Sequence, residues 1–128
     1  MSFNGTNVIH LEVDDFKNNT LIYDNKPVKG TWIVMVQGSY CGHCTKNKPT
    51  YAQLSSKFGS KSVNKGPVFA TIQIDGSERE QALAKRLPGI TKTQLSGVPA
   101  FMKFEDGKFT AMVVGGKNEG ELIEFMKN

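Results

Sequence analysis

Trp32-Ile33-Val34-Met35-Val36-Gln37-Gly38-Ser39-Tyr40-Cys41-Gly42-His43-Cys44 is the stretch whose reading decides the fold. Its first five residues are apolar without alternation, as expected of a central strand covered on both faces. The run then meets the only two cysteines in 128 residues. From Gly42 onward Asn47, Tyr51, Leu54 and Phe58 recur at helical spacing, so the cysteines should open a helix. Pro49, inside that pattern, predicts a kink one to two turns later. Residues three apart on a helix share a face and lie within the Cα separation a disulfide permits. Cys41 and Cys44 can therefore close and open with little backbone movement, and a redox pair is the leading reading.

Strands and helices alternate on either side of this stretch. Val8-Ile9-His10-Leu11-Glu12-Val13 has period two, with Ile9, Leu11 and Val13 on one face, and Asp14 or Asp15 can cap a short helix through Leu21-Ile22. Pro67 to Ile74 reads as a strand. Ser77 with Glu80 is a capping box opening a helix through Leu83 and Leu87, which Pro88-Gly89 is expected to stop, leaving a loop to Gly97. Ala100 to Phe104 and Phe109 to Val114 are strands joined around Asp106-Gly107, a strong hairpin signal. Asn118 with Glu121 starts a last helix that turns Leu122, Ile123, Phe125 and Met126 inward. The order βαβαβαββα implies a three-layer α/β domain with a central mixed sheet, one domain over residues 1–128.

Composition narrows the function classes. With 38% apolar residues the chain can bury one substantial core, and two cysteines are too few for a disulfide framework. The longest apolar run is strand-sized, so no membrane span is expected. Met1-Ser2-Phe3-Asn4-Gly5 has neither a basic nor an apolar leader region, and Met126-Lys127-Asn128 is not an ER-retention ending, so the expected compartment is the cytosol unless a leader has been removed. The net charge of +4 is uneven. Between Asp24 and Asp75 there is no acid, while Lys26, Lys29, Lys46, Lys48, Lys57, Lys61 and Lys65 fall there. A solvated face explains such a run. The sharper reading is a positive field that favours a thiolate and attracts acidic partners or glutathione. No motif or interleaved aromatic residues point to nucleic acid.

Cys41-Gly42-His43-Cys44 at a strand-to-helix junction, Pro49 five residues beyond Cys44, Val98-Pro99 before the hairpin and Gly115-Gly116 before the last helix resemble the thioredoxin superfamily. Within it, the motif is similar to that of protein disulfide isomerase catalytic domains. The resemblance implies a thiol–disulfide oxidoreductase with no cofactor, acting as a monomer on protein thiols and disulfides, with glutathione as a small-molecule partner. It also implies that Pro99 is cis and that the Val98 backbone pairs with an extended substrate.

Position assigns the sulfurs their parts. At a helix N-terminus, unpaired N–H groups and the dipole favour an anion by up to about 2 kcal/mol, which makes Cys41 the attacking sulfur. Cys44, one turn inward, suits the resolving role. His43 beside Cys41 stabilises the thiolate, hence the dithiol, and makes the disulfide the better oxidant. Gly42 completes the motif, and Tyr40, where the family usually has tryptophan, faces substrate. Two departures stand out. Met35 occupies the place of a buried acid that serves the inner cysteine, and Lys117 falls where isomerases carry an arginine, so an ammonium is expected to assist Cys44, although lysine is not equivalent to arginine. The segment from Pro88 to Ser96 is longer than the family spacing and leads into Pro99. The alternatives are a cytosolic reductase and a non-catalytic binding module. A metal site is disfavoured, because His43 sits between the cysteines at a spacing poorly suited to one ion.

Overall fold

The computed structural model describes residue 3, residues 5–60 and residues 66–127. Lys61 and Lys65 of the basic interval lie outside these residues. Five strands form the main sheet: β1 (Ile9–His10), β5 (Thr31–Gln37), β6 (Val68–Gln73), β7 (Ala100–Glu105) and β8 (Lys108–Val114). Their spatial order is β1-β6-β5-β7-β8. β6 runs parallel to β1 and β5, β7 antiparallel to β5, and β8 antiparallel to β7. β5 is thus the centre of a mixed sheet, and Trp32 to Gln37 are all buried. Its residues alternate between two cores. Trp32, Val34 and Val36 face Leu83, Leu87 and Ile90 of α2 (Glu78–Thr91), while Ile33 and Met35 face Tyr51 and Leu54 of α1 (Gly42–Phe58) and Leu122 of α3 (Glu119–Lys127). Three helices on two faces of one mixed sheet is the α/β architecture the sequence predicts.

The first predicted helix does not form. After a short 3₁₀ turn at Val13–Asp15, the chain makes a three-stranded antiparallel meander of β2 (Phe16–Lys17), β3 (Thr20–Tyr23) and β4 (Lys26–Pro27). Asn18-Asn19 and Asp24-Asn25 all have positive φ, the backbone of two-residue hairpin turns whose twist matches antiparallel strands. Leu21 and Ile22 therefore read out as strand, and Phe16, Leu21 and Val28 cover the core beside Phe104. Gly107 is required here. Its positive φ closes the β7–β8 turn, and a Cβ would lie 2.7 Å from the Leu21 carbonyl, while its own carbonyl accepts the Leu21 N–H.

One proline, Pro88, also behaves differently from expectation. α1 runs unbroken through Pro49, and α2 continues past Pro88-Gly89 to Thr91, ending at Lys92 in the left-handed region. Pro88 withholds one backbone donor, but extending the helix buries Ile90 beside Leu87, and the Thr91 hydroxyl donates to the Leu87 carbonyl at 3.0 Å. The loop before Pro99 begins four residues later than predicted. Phe58 ends α1 with 44% of its surface exposed.

Tyr51 pins α1 to the sheet. Its buried hydroxyl lies 2.8 Å from the carbonyls of both Ile33 and Ala70, its single proton shared between them. Tyr51→Phe removes that donor and should lower unfolding stability by about 1–3 kcal/mol, read as a shift in urea midpoint at constant slope.

Candidate functional site

The site forms where β5 stops and α1 starts. Gly38 follows the buried strand, its carbonyl accepting the Cys41 N–H at 3.2 Å. Asp75, just beyond β6, accepts the Ser39 N–H at 3.0 Å and also the Ser39 hydroxyl. The Ser39 hydroxyl and N–H hold the Asp75 carboxyl below the usual carboxylate range. The turn carrying the cysteines is thus tied to the neighbouring strand by a residue that sequence reasoning left unassigned. Cys41 is the N-cap of α1, and its sulfur accepts the Cys44 N–H at 3.1 Å. A cap of this kind places a helix-end donor on the sulfur. The Cys41 thiol also lies 3.4 Å from the Val98 carbonyl, which it can donate to, and the following bond, Val98-Pro99, is cis. Cys41 and Val98 are thus brought together beside the cis bond to Pro99, as the resemblance implies.

Cys44 is fully buried and Cys41 partly so, both as free thiols. Met35, Phe101 and Leu122 share its core, and no Asp or Glu is among the buried side chains of the described residues. Burial pushes the Cys44 thiol up to about 11, and the Cys41 sulfur adds to the rise; a backbone hydrogen bond with Gly38 and the charge of Lys48 oppose it. The inner sulfur is therefore almost entirely protonated at neutral pH.

A lysine other than Lys117 also bears on Cys44. Lys117 directs its ammonium to the Val114 carbonyl at 3.0 Å. Lys48, one turn after Cys44 on α1 and only 5% exposed, supplies the nearby positive charge. Its i+4 spacing from Cys44 was the available signal, hidden within the basic interval. Gln37, two residues after Met35 on the alternating strand, is also buried, and its Oε1 has no hydrogen-bond partner among the described residues. Tyr40 stands 71% exposed beside the motif, and Gly42 and His43 are exposed on the first turn of α1. Among the described residues no three His, Cys, Asp or Glu side chains gather to hold a metal, and no helix is long and apolar enough to cross a membrane.

The thioredoxin family model matches residues 7–128, and the chain belongs to that family. A thioredoxin-like protein, 453L, of Invertebrate iridescent virus 6 is 31% identical over 107 residues, covering 79% of this chain and 78% of that one. Thioredoxin f from spinach chloroplast, in its short form, shares the fold with a TM-score of 0.64 over 99% of this chain and 96% of that one, at 18% identity. A mutant thioredoxin from Halobacterium salinarum NRC-1 gives 0.59 over 77% and 74%, at 24% identity. The chain is a thioredoxin-like redox protein whose two cysteines lie together at the start of α1.

The raised Cys44 thiol has a consequence for stability. Below pH 9 it is protonated in both folded and unfolded chains; between 9 and about 11 only the unfolded chain ionises, so folding of the dithiol form loses up to about 1.4 kcal/mol per pH unit. The disulfide form lacks this thiol. Relative to the disulfide protein, the dithiol protein should lose stability across that window, measured by urea unfolding of each. Lys48→Met should move the pH profile of Cys44-dependent mixed-disulfide release to higher pH. Lys117→Met should leave that profile in place, because the ammonium of Lys117 is turned to Val114.

Proposed function

We propose that the protein is a thiol–disulfide oxidoreductase of the protein disulfide isomerase type, oxidising or rearranging disulfides in protein substrates. The observation that carries the reading is Cys41 itself, which caps α1, accepts the Cys44 N–H and lies against the Val98 carbonyl ahead of cis-Pro99. His43, exposed between the cysteines, supports the isomerase type over the reductase.

The chemistry balances without a cofactor. The Cys41 thiolate attacks one sulfur of a substrate disulfide; a Cys41–substrate S–S bond forms, the substrate S–S bond breaks, and the departing thiolate takes a proton from water. Cys44 then gives up its proton and attacks the Cys41 sulfur, expelling the second substrate thiolate. Two electrons pass to the substrate, and in reverse the protein disulfide oxidises a substrate dithiol. In the mixed disulfide Cys41 no longer carries charge, but the burial that raises Cys44 remains. Release is then slow relative to attack. A long-lived mixed disulfide leaves time for another substrate thiol to displace Cys41, which is isomerisation with no net oxidation. Tyr40, Val98 and Pro99 form the substrate-facing surface, and glutathione serves as the small thiol partner.

A reductase is the second reading, favoured by relatives that carry the thioredoxin name. The potential of the Cys41–Cys44 couple, measured by equilibration with glutathione, separates the two. A value near about −180 mV, typical of protein disulfide isomerase, is expected; one near about −270 mV, typical of thioredoxin, selects the reductase. His43→Pro should shift the couple toward the lower value.

A further inference from the structure

One groove beside the cysteines extends beyond the exchange site. It has a volume of about 260 Å³ and runs between α1 and the segment joining β8 to α3. His43, Lys46, Asn47 and Thr50 line one side, at positions i, i+3, i+4 and i+7 of α1, and Gly116 and Lys117 the other. The groove is built rather than incidental. Asn47, 5% exposed, donates its amide to the Lys117 carbonyl at 2.9 Å and accepts the Lys117 N–H at 2.8 Å. The Lys117 ammonium is held on the Val114 carbonyl, and exposed Lys46 faces the same space.

The charges in the groove are of one sign. None of its lining residues is acidic. Of the acids nearest in sequence, Glu119 pairs with Lys57 at 2.8 Å, and Glu121 sits at the groove's end, accepting the N–H of the lining residue Asn118 at 3.0 Å in the cap of α3. The groove starts at His43, two residues from Cys41, and seven helical residues span about 10 Å, the reach of about three residues of extended chain.

We propose that this groove is a subsite for an acidic peptide segment, holding Asp or Glu within about three residues of the substrate cysteine that Cys41 engages. The subsite rests on the oxidoreductase reading and names the substrates that reading leaves open. An exposed charge pair changes a rate constant about two- to five-fold, so two acidic side chains on Lys46 and Lys117 favour a substrate by about five- to twenty-fold at low salt. Screening at 0.5 M salt should bring that preference close to one.

The test uses two disulfide-linked peptide dimers, identical except that three positions flanking the cysteine are Asp/Glu in one and Asn/Gln in the other. Thiol release by the reduced protein gives second-order rate constants and their acidic-to-neutral ratio. The wild-type ratio should be about five to twenty, Lys46→Gln should lower it, and Lys46→Glu should take it to one or below. Lys26→Glu, on the small meander, changes net charge equally and should leave the ratio in place. A wild-type ratio near one, or equal losses from Lys46→Glu and Lys26→Glu, would overturn the subsite while leaving the oxidoreductase reading standing. Failure of both dimers to react would overturn both.

Discussion

The hydrogen bond from the Cys44 N–H to the Cys41 sulfur is the contact on which the site depends, because it makes one atom serve as helix cap and as reacting group. A helix must satisfy the donors of its first turn, and most do so with a hydroxyl or carboxylate oxygen. Here sulfur does it. The helix is therefore anchored at the point where chemistry occurs, and strain or rotation of α1 would be felt at Cys41. Tyr51, bonded to carbonyls of β5 and β6 two turns along, fixes the helix against that movement.

Burial then separates two sulfurs that the sequence makes alike. Cys41 is half-covered and lies against the Val98 carbonyl, whereas Cys44 has Met35, Phe101 and Leu122 around it. Without a carboxylate at Met35, desolvation dominates the inner thiol, and the Lys48 charge opposes it only in part. The distribution of charge follows a similar division. A lysine beneath the surface acts on Cys44, and lysines at the surface face the groove next to His43.

The two-core sheet, the capping box at Ser77 and the Asp106-Gly107 hairpin were legible in the sequence because each rests on residues adjacent in the chain. The misread parts were those where local signals compete. Leu21-Ile22 fits either a helix or a strand, and the Asn18-Asn19 and Asp24-Asn25 turns outweigh the helix cap at Asp14 or Asp15. Pro88 is a helix breaker in isolation, but burial of Ile90 outweighs the missing donor. Lys48 was visible as one of seven lysines and gained meaning only from where its helix face was packed.

By itself the sequence determined that a buried strand ends at a cysteine pair and that the pair opens a helix, since strand periodicity, spacing and capping are set within a few residues. Only the tertiary structure decided what meets that pair. Val98 reaches Cys41 across 57 residues, and the Asn47–Lys117 bonds close the groove across 70. Contacts of that span depend on how the sheet orders its strands and on which face each helix covers, and so does the exclusion of water from Cys44. No short stretch of sequence encodes them, because the free energy that holds them is shared across the whole core.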